Sequence, residues 1–121
     1  MVVGEPTCHP EQGDFVWIDF DPQAGHEQAK RRPALVLSPG EYHRTVGLAV
    51  VCPVTHKVKG YPFEVTIAPD GPVAGVVLAD QVKSLDLKAR RAEVIGPADP
   101  ALLREVKAMI VALLDLDMPT E

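Results

Sequence analysis

The 121-residue sequence has only two cysteines and no apolar run near the length of about 18 residues that a membrane-spanning helix needs. Cys8 lies in a polar N-terminal stretch and Cys52 in an apolar run, a poor arrangement for a disulfide. Cys8 and His9 are adjacent, but two ligands without a second pair at zinc spacing are a weak metal signal. The N-terminus also lacks a basic segment followed by an apolar one. We therefore expect a soluble, cytoplasmic protein with free thiols and with neither a metal ion nor an organic cofactor.

The motifs of several large enzyme classes are missing as well. The sequence contains no Walker-type phosphate loop, no dinucleotide fingerprint, no HExxH and no Gly-x-Ser-x-Gly elbow. Among enzymatic reactions, cleavage of a phosphodiester without a metal is the one that the remaining residues best permit.

The formal net charge of −5 is unevenly distributed along the chain. Residues 1–21 carry five acids and no bases, residues 22–91 carry ten bases and six acids, and residues 92–121 carry two bases and six acids. Contacts with phosphate depend on local clusters of charge rather than on the net charge. The acidic total therefore does not exclude RNA as a ligand of the basic middle region.

The middle of the chain has the pattern of short β-strands. Runs rich in β-branched and aromatic residues recur at residues 15–20, 34–37, 47–52, 63–67, 75–78 and 92–95. Breakers separate these runs at residues 38–40, Pro53, Pro62 and residues 69–72. Such spacing predicts a mainly β protein, with a compact antiparallel sheet curled into a barrel.

The C-terminal segment has the pattern of an α-helix. Asp99 is a suitable N-cap, and Pro100 suits the first helical position. Apolar residues then recur every three to four positions, at Leu103, Val106, Ile110 and Leu113 or Leu114. A helix of about four turns should pack its apolar face on the barrel. Residues 1–12 lack any period and are interpreted as a flexible N-terminal arm, and residues 13–121 as a single domain.

Arg32 and Thr55 are the leading candidates for catalysis. Each lies beside an apolar run in a stretch, residues 26–33 and 53–60, that is too polar and basic for a core. RNA carries its own nucleophile, the 2′-hydroxyl, so an enzyme need only move protons and stabilise the charge on the phosphorane. Arg32 could neutralise that charge and Thr55 could hydrogen-bond a nonbridging oxygen. The commoner role of an arginine such as Arg32 is a surface ion pair, for example with Glu27. The commoner role of a threonine such as Thr55 is a hydroxyl that hydrogen-bonds its own backbone.

Other polar residues extend this candidate site. Histidine is the only side chain type in this group that normally titrates near neutral pH, so His26 is either a general acid or base or a solvated loop residue. Asp80 follows an apolar run, where it could read a base edge, accept a proton or hold Arg32 in place. The candidate RNA-binding residues are Glu27, Gln28, Lys30, Arg31, His56, Lys57, Lys59, Gln81 and Lys83. Lys88, Arg90 and Arg91 would extend the basic wall, although a charge run is usually a solvated face.

Six segments carry a resemblance to a known family. They are GDFVW at residues 13–17, FDP at 20–22, GHEQ at 25–28, RPALVLSP at 32–39, KGYPFEV at 59–65 and ADQVKS at 79–84. In this order and spacing, from about residue 13 to residue 116, the chain resembles the MazF/PemK toxins of bacterial type II toxin–antitoxin modules.

The resemblance implies a homodimer of SH3-like barrels with C-terminal helices. It further implies a metal-independent endoribonuclease that cleaves single-stranded RNA, usually mRNA at a short sequence, and leaves a 2′,3′-cyclic phosphate and a 5′-hydroxyl. The implied partner is a MazE-like antitoxin whose acidic C-terminal segment obstructs the RNA groove and which alone contacts promoter DNA.

The resemblance also assigns roles to individual residues. The family's catalytic arginine and threonine fall on Arg32 and Thr55, and His26 and Asp80 match a histidine and an aspartate that one branch uses. Leu78 stands where that branch has an arginine for proton transfer. His56 stands where small polar residues are usual, so RNA contacts in this loop differ from the usual pattern.

Two other functions remain open for the same fold. CcdB toxins have a similar barrel and poison DNA gyrase, which does not require an arginine and threonine pair. A catalytically inactive relative that only binds a partner would have the same groove.

Overall fold

The computed structural model describes residues 9–20 and 30–115. Within these residues the chain forms seven strands and two helices. In order they are β1 (Asp14–Asp19), β2 (Arg31–Val36), α1 (Gly40–Val46), β3 (Leu48–Thr55), β4 (Glu64–Thr66), β5 (Val76–Leu78), β6 (Lys83–Asp86), β7 (Glu93–Pro97) and α2 (Pro100–Leu113). In the same residues, no helix has the length and apolar character required to cross a bilayer.

The strands pair antiparallel in the order β4-β5-β3-β2-β1-β7, and β6 also pairs with β3. No pairing between the described residues joins β4 to β7, so the sheet is open rather than a fully closed barrel. β3 is the shared strand, because it pairs with β2, β5 and β6. The predicted class, mainly antiparallel β with a C-terminal helix, is confirmed.

The strand β3 differs from the prediction at its C-terminal end. Pro53 was expected to break the strand, but β3 continues to Thr55. Proline lacks an N–H and is tolerated in a sheet where the regular ladder is interrupted. Here β3 changes partner at that point: it pairs with β2 up to Pro53 and with β5 from Val54 onward. Thr55 therefore lies in a strand and not in a loop.

Alternation along β1, β2 and β3 divides the core into two clusters, as expected when successive side chains point to opposite faces. One cluster joins one face to α2 and includes Phe15, Leu35, Cys52, Val54, Leu102 and Val106. The other covers the opposite face and includes Val16, Ile18, Ala34, Val36, Val51 and Leu85. The sheet is thus fixed by packing on both sides.

The helix α2 begins as predicted. The side chain of Asp99 accepts a hydrogen bond from the backbone N–H of Ala101 at 2.9 Å, and Pro100 is the first helical residue. The fully packed positions are Leu102 and Val106, one turn apart, whereas Leu103 is only partly buried. The apolar face therefore starts one residue earlier than the prediction placed it.

Residues 9–12, predicted to be part of a flexible arm, contact the domain. Pro10 is fully buried, and its carbonyl accepts a hydrogen bond from Nδ1 of His43 at 3.0 Å. The side-chain amide of Gln12 donates to the carbonyl of Leu37 at 2.7 Å. Residues 1–8, with Cys8, lie outside the described residues.

Candidate active site

A cavity of about 430 Å³ opens where the start of β2, the end of β3 and the loops after β3 and β5 meet. The residues that line it are Arg32, Thr55, Lys57, Lys59, Tyr61, Phe63, Glu64, Leu78, Asp80 and Gln81. Arg32 and Thr55, distant in the sequence, thus share one cavity with Asp80 and with two of the lysines named above.

The pairing of β2 with β3 explains why Arg32 and Thr55 meet. Ala34 lies opposite Pro53 in this antiparallel pair. Continuing the register by two residues brings Arg32 and Thr55 to facing positions, on the same side of the sheet. The half-buried Arg32 also donates through Nη1 to the carbonyl of Val54 at 3.4 Å. This bond holds the guanidinium against the end of β3.

The hydroxyl of Thr55 has a fixed environment. Thr55 is 6% exposed, and its Oγ1 accepts a hydrogen bond from the backbone N–H of Lys57 at 3.1 Å. This bond to neighbouring backbone is the commoner role expected of such a threonine. A hydroxyl has one donor besides its two acceptor positions, so accepting from Lys57 leaves the proton for donation to a ligand.

The loop after β3 supplies the cationic wall of the cavity. Lys57 and Lys59 are exposed, and Nζ of Lys59 lies 5.8 Å from the ring centroid of Tyr61. Glu64 introduces a negative charge, but its carboxylate is used locally: it accepts from the backbone N–H of Lys59 at 3.0 Å and of Gly60 at 2.9 Å. Tyr61, Phe63 and Glu64 were not predicted as site residues. For Glu64, an acid a few residues after a glycine is too common in sequences to identify such a contact.

The other predicted site residues have different positions. His26, Glu27 and Gln28 lie outside the described residues. Lys30 and His56 are exposed, and Lys83 is half-buried at the start of β6. These last three residues are not among those that line the cavity.

Arg31, predicted as an RNA-binding residue, is not among the residues that line the cavity. Its Nη1 lies 3.3 Å from Oδ1 of Asp19 and its Nη2 lies 3.1 Å from Oε1 of Glu93. Neighbouring strand residues face opposite sides of a sheet, so Arg31 and Arg32 cannot both face the cavity. Arg31 instead connects β1, β2 and β7.

Arg91 belongs to the same network and is not among the residues that line the cavity. Its Nε donates to Oδ2 of Asp19 at 2.9 Å. Hydrogen bonding to Arg91, and to a smaller extent to Arg31, holds the pKa of Asp19 below its ordinary value. The same contact raises the pKa of Arg91.

Cys52 lies behind the cavity, buried in the first core cluster and not bonded to another cysteine. Burial raises the pKa of its thiol to about 12, and the negative charge of Asp80 adds to this effect. A thiol that stays protonated is a poor nucleophile. Cys52 therefore has a packing role.

Comparison with known proteins identifies the family. The family described as PemK-like, MazF-like toxin of type II toxin-antitoxin system matches residues 11–114. Endoribonuclease toxin MazF of Escherichia coli (strain K12) is 47% identical over 105 residues, which cover 87% of this chain and 94% of that protein. The chain belongs to this family.

Solved structures agree with this assignment. MazF of Deinococcus radiodurans matches with a TM-score of 0.87 and 51% identity, over 90% of this chain and 99% of that one. A chain from a MazE–MazF crystal structure of the same organism matches with a TM-score of 0.82 and 51% identity, over 91% of this chain and 99% of that chain.

Proposed function

We propose that this protein is the toxin of a type II toxin–antitoxin system and a metal-independent endoribonuclease that cleaves single-stranded RNA, with mRNA as its cellular substrate. The observation that carries the proposal is the meeting of Arg32 and Thr55 in one cavity beside Lys57 and Lys59. The permanently charged guanidinium of Arg32 and the buried hydroxyl of Thr55 are suited to bind a phosphate that undergoes in-line attack. Two similar proteins of Escherichia coli, MazF and ChpB, are named endoribonuclease toxins, which supports the same function.

In the proposed reaction the 2′-hydroxyl of the substrate attacks the adjacent phosphorus and the bond to the 5′-oxygen breaks. Negative charge accumulates on the nonbridging oxygens, where Arg32 neutralises it and the Thr55 hydroxyl donates a hydrogen bond. The products are a 2′,3′-cyclic phosphate and a 5′-hydroxyl. Asp80 and His26 are proposed as auxiliary groups for proton transfer or for orienting the nucleophile.

Cleavage of a long single-stranded RNA in the presence of EDTA tests the proposal. Arg32→Ala and Thr55→Ala should each lose about 100-fold or more in kcat/KM, which is within the range for removing one group that stabilises transition-state charge. Arg104→Ala on α2 and Thr45→Ala on α1 are matched controls with exposed side chains away from the cavity. Undiminished cleavage by both cavity variants would refute the assigned roles. Sequencing of 5′-hydroxyl termini would give the recognition sequence and the product chemistry together.

We also propose a homodimer and a MazE-like antitoxin whose acidic C-terminal segment competes with RNA for the cavity. Structures of MazE–MazF from D. radiodurans support such a partner. Exposed Leu113 and Leu114 at the end of α2 offer apolar surface for a second copy.

Because the antitoxin segment is proposed to compete with RNA by charge, an acidic peptide should inhibit cleavage, and this inhibition should weaken as the salt concentration rises. A bound inhibitory peptide that leaves Arg32 accessible would contradict simple competition.

Gyrase poisoning is the alternative that the same preparation can test. Inhibition of gyrase in a supercoiling assay, together with no RNA cleavage under any condition, would favour a CcdB-like function. The cavity pair Arg32 and Thr55 has no role in that activity, so its presence supports the ribonuclease instead.

A further inference from the structure

The loop between β3 and β4 is fastened at both ends by side chains of the cavity. At its start, the Thr55 hydroxyl accepts from the backbone N–H of Lys57 at 3.1 Å. Near its end, Glu64 at the beginning of β4 reaches back to Lys59 and Gly60. The segment between these anchors carries both lysines of the cavity wall.

The carboxylate of Glu64 accepts hydrogen bonds from two successive backbone N–H groups of the loop. Its Oε2 lies 3.0 Å from the backbone nitrogen of Lys59, and its Oε1 lies 2.9 Å from that of Gly60. Gly60 has φ = 79°, a left-handed conformation that strongly favours glycine. Successive N–H groups around a left-handed residue form a concave anion-binding turn, and here the carboxylate of Glu64 fills it.

We propose that Glu64 is a positioning residue for RNA binding. Its carboxylate fixes the backbone at Lys59 and Gly60, so that Lys57 and Lys59 project along the cavity occupied by the scissile phosphate and its neighbours. The RNA part of this inference rests on the proposed function, whereas the loop part does not.

Charge and positioning predict opposite results when Glu64 is neutralised. A negative charge beside a phosphate site repels the ligand, so by charge alone its removal should tighten RNA binding. If the carboxylate instead positions Lys57 and Lys59, its removal should weaken RNA binding, because the released loop must become ordered again when RNA binds. The direction of the change in KM therefore separates the two roles.

Steady-state kinetics on a short single-stranded RNA provides the first test. Glu64→Gln should raise KM about tenfold, with kcat changed less than about twofold, because hydrogen bonds to a charged acceptor are lost or weakened. Glu64→Asp, which keeps the charge on a shorter side chain, should recover part of the loss. Glu41→Gln, at an exposed position of α1, is the control for removing one negative charge. An unchanged or lower KM for Glu64→Gln would overturn the proposal.

A glycine pair provides the second test. Gly60 and Gly47 have nearly equal φ angles of 79° and 77°, and an added Cβ would meet no atom within 4 Å at either position. Alanine therefore adds the same backbone strain at both. Gly60→Ala should raise KM about tenfold, whereas Gly47→Ala, at the end of α1, should leave KM unchanged. Equal effects of the two variants on KM would contradict a specific role of the loop.

Limited trypsin digestion without RNA tests the loop by itself. Glu64→Ala should be cut after Lys57 and Lys59 about tenfold faster than the unmodified protein, with cleavage elsewhere unchanged. Equal rates would show that Glu64 does not fasten the loop and would overturn the proposal. Faster digestion with an unchanged KM would also overturn it. If the unmodified protein cleaves no RNA, the proposed function fails, and the digestion still decides whether Glu64 holds the loop.

Discussion

At the scale of single residues, the sequence alone does not distinguish the roles of the adjacent residues Arg31 and Arg32. Both were candidates for contact with RNA. Their roles separate only when the strand β2 is known to begin at Arg31, because alternation then sends one side chain to the cavity and the other to Asp19 and Glu93. The strand was predicted three residues later, at Ala34, so this distinction could not be drawn from the sequence.

The first prediction compares these two arginines. Arg31→Ala should lower the thermal unfolding midpoint, because it removes contacts to Asp19 and Glu93. It should cost far less RNA-cleaving activity than Arg32→Ala, which should lose about 100-fold or more. Calorimetry and cleavage kinetics measured on the same samples check both parts. Equal losses of activity would place Arg31 at the RNA site after all.

The second prediction concerns Cys52, whose buried thiol has a pKa raised to about 12. Because alkylation requires an accessible thiolate, iodoacetamide at pH 8 should leave Cys52 unmodified in the folded protein and modify it in urea. Mass spectrometry of the peptide that contains Cys52 gives the measurement. Rapid modification without denaturant would show that β3 opens readily.

At the scale of elements, strong patterns were predicted well and weak ones were missed. The capped helix α2 and the apolar strands had clear signals. The strand β6 pairs with β3 but has only one buried residue, Leu85. Its sequence therefore shows little of the apolar alternation that predicts a strand. The short helix α1 follows Pro39 and has two buried residues, Gly40 and His43. In both cases tertiary contacts, more than local preference, determine the structure.

The third prediction concerns Gly75, just before β5, where a Cβ would collide with the backbone carbonyl of Thr55. Its φ of 113° is also unfavourable for other residues. Gly75→Ala should therefore destabilise the protein by about 2–4 kcal/mol and reduce activity by displacing Thr55. Gly71→Ala, in the same connection and with open space around it, is the control. Urea unfolding and cleavage assays measure the two effects, and identical stabilities would contradict the predicted collision.

At the scale of the whole molecule, charge is separated by position in the fold. The cavity gathers Arg32, Lys57 and Lys59, whereas Arg31 and Arg91 are held in ion pairs around Asp19. The uneven charge along the sequence indicated a basic middle region, but it did not show that these bases divide between two places. That division depends on strand register, which only the folded chain defines.

The fourth prediction uses the pH dependence of this ion network. The pKa of Asp19 is lowered from 3.8 in the folded protein, so its ionised form stabilises the fold above that pH and this contribution is lost as the pH falls further. Asp19→Asn should be less stable than the unmodified protein at pH 7, and the difference should shrink below pH 3.8. Urea unfolding at several pH values, with Asp70→Asn as an exposed control, measures this. A difference that grows on acidification would have the wrong sign.

The sharing of β3 among β2, β5 and β6 has a consequence for biosynthesis. Arg32 and Thr55 emerge from the ribosome before the residues that complete the opposite wall, Asp80 and Gln81. A nascent polypeptide that stops short of β5 and β6 leaves β3 paired only with β2, and leaves the cavity without Asp80 and Gln81. Incomplete translation products should therefore be harmless to the messenger that encodes them, and toxicity should begin only with a nearly full-length chain.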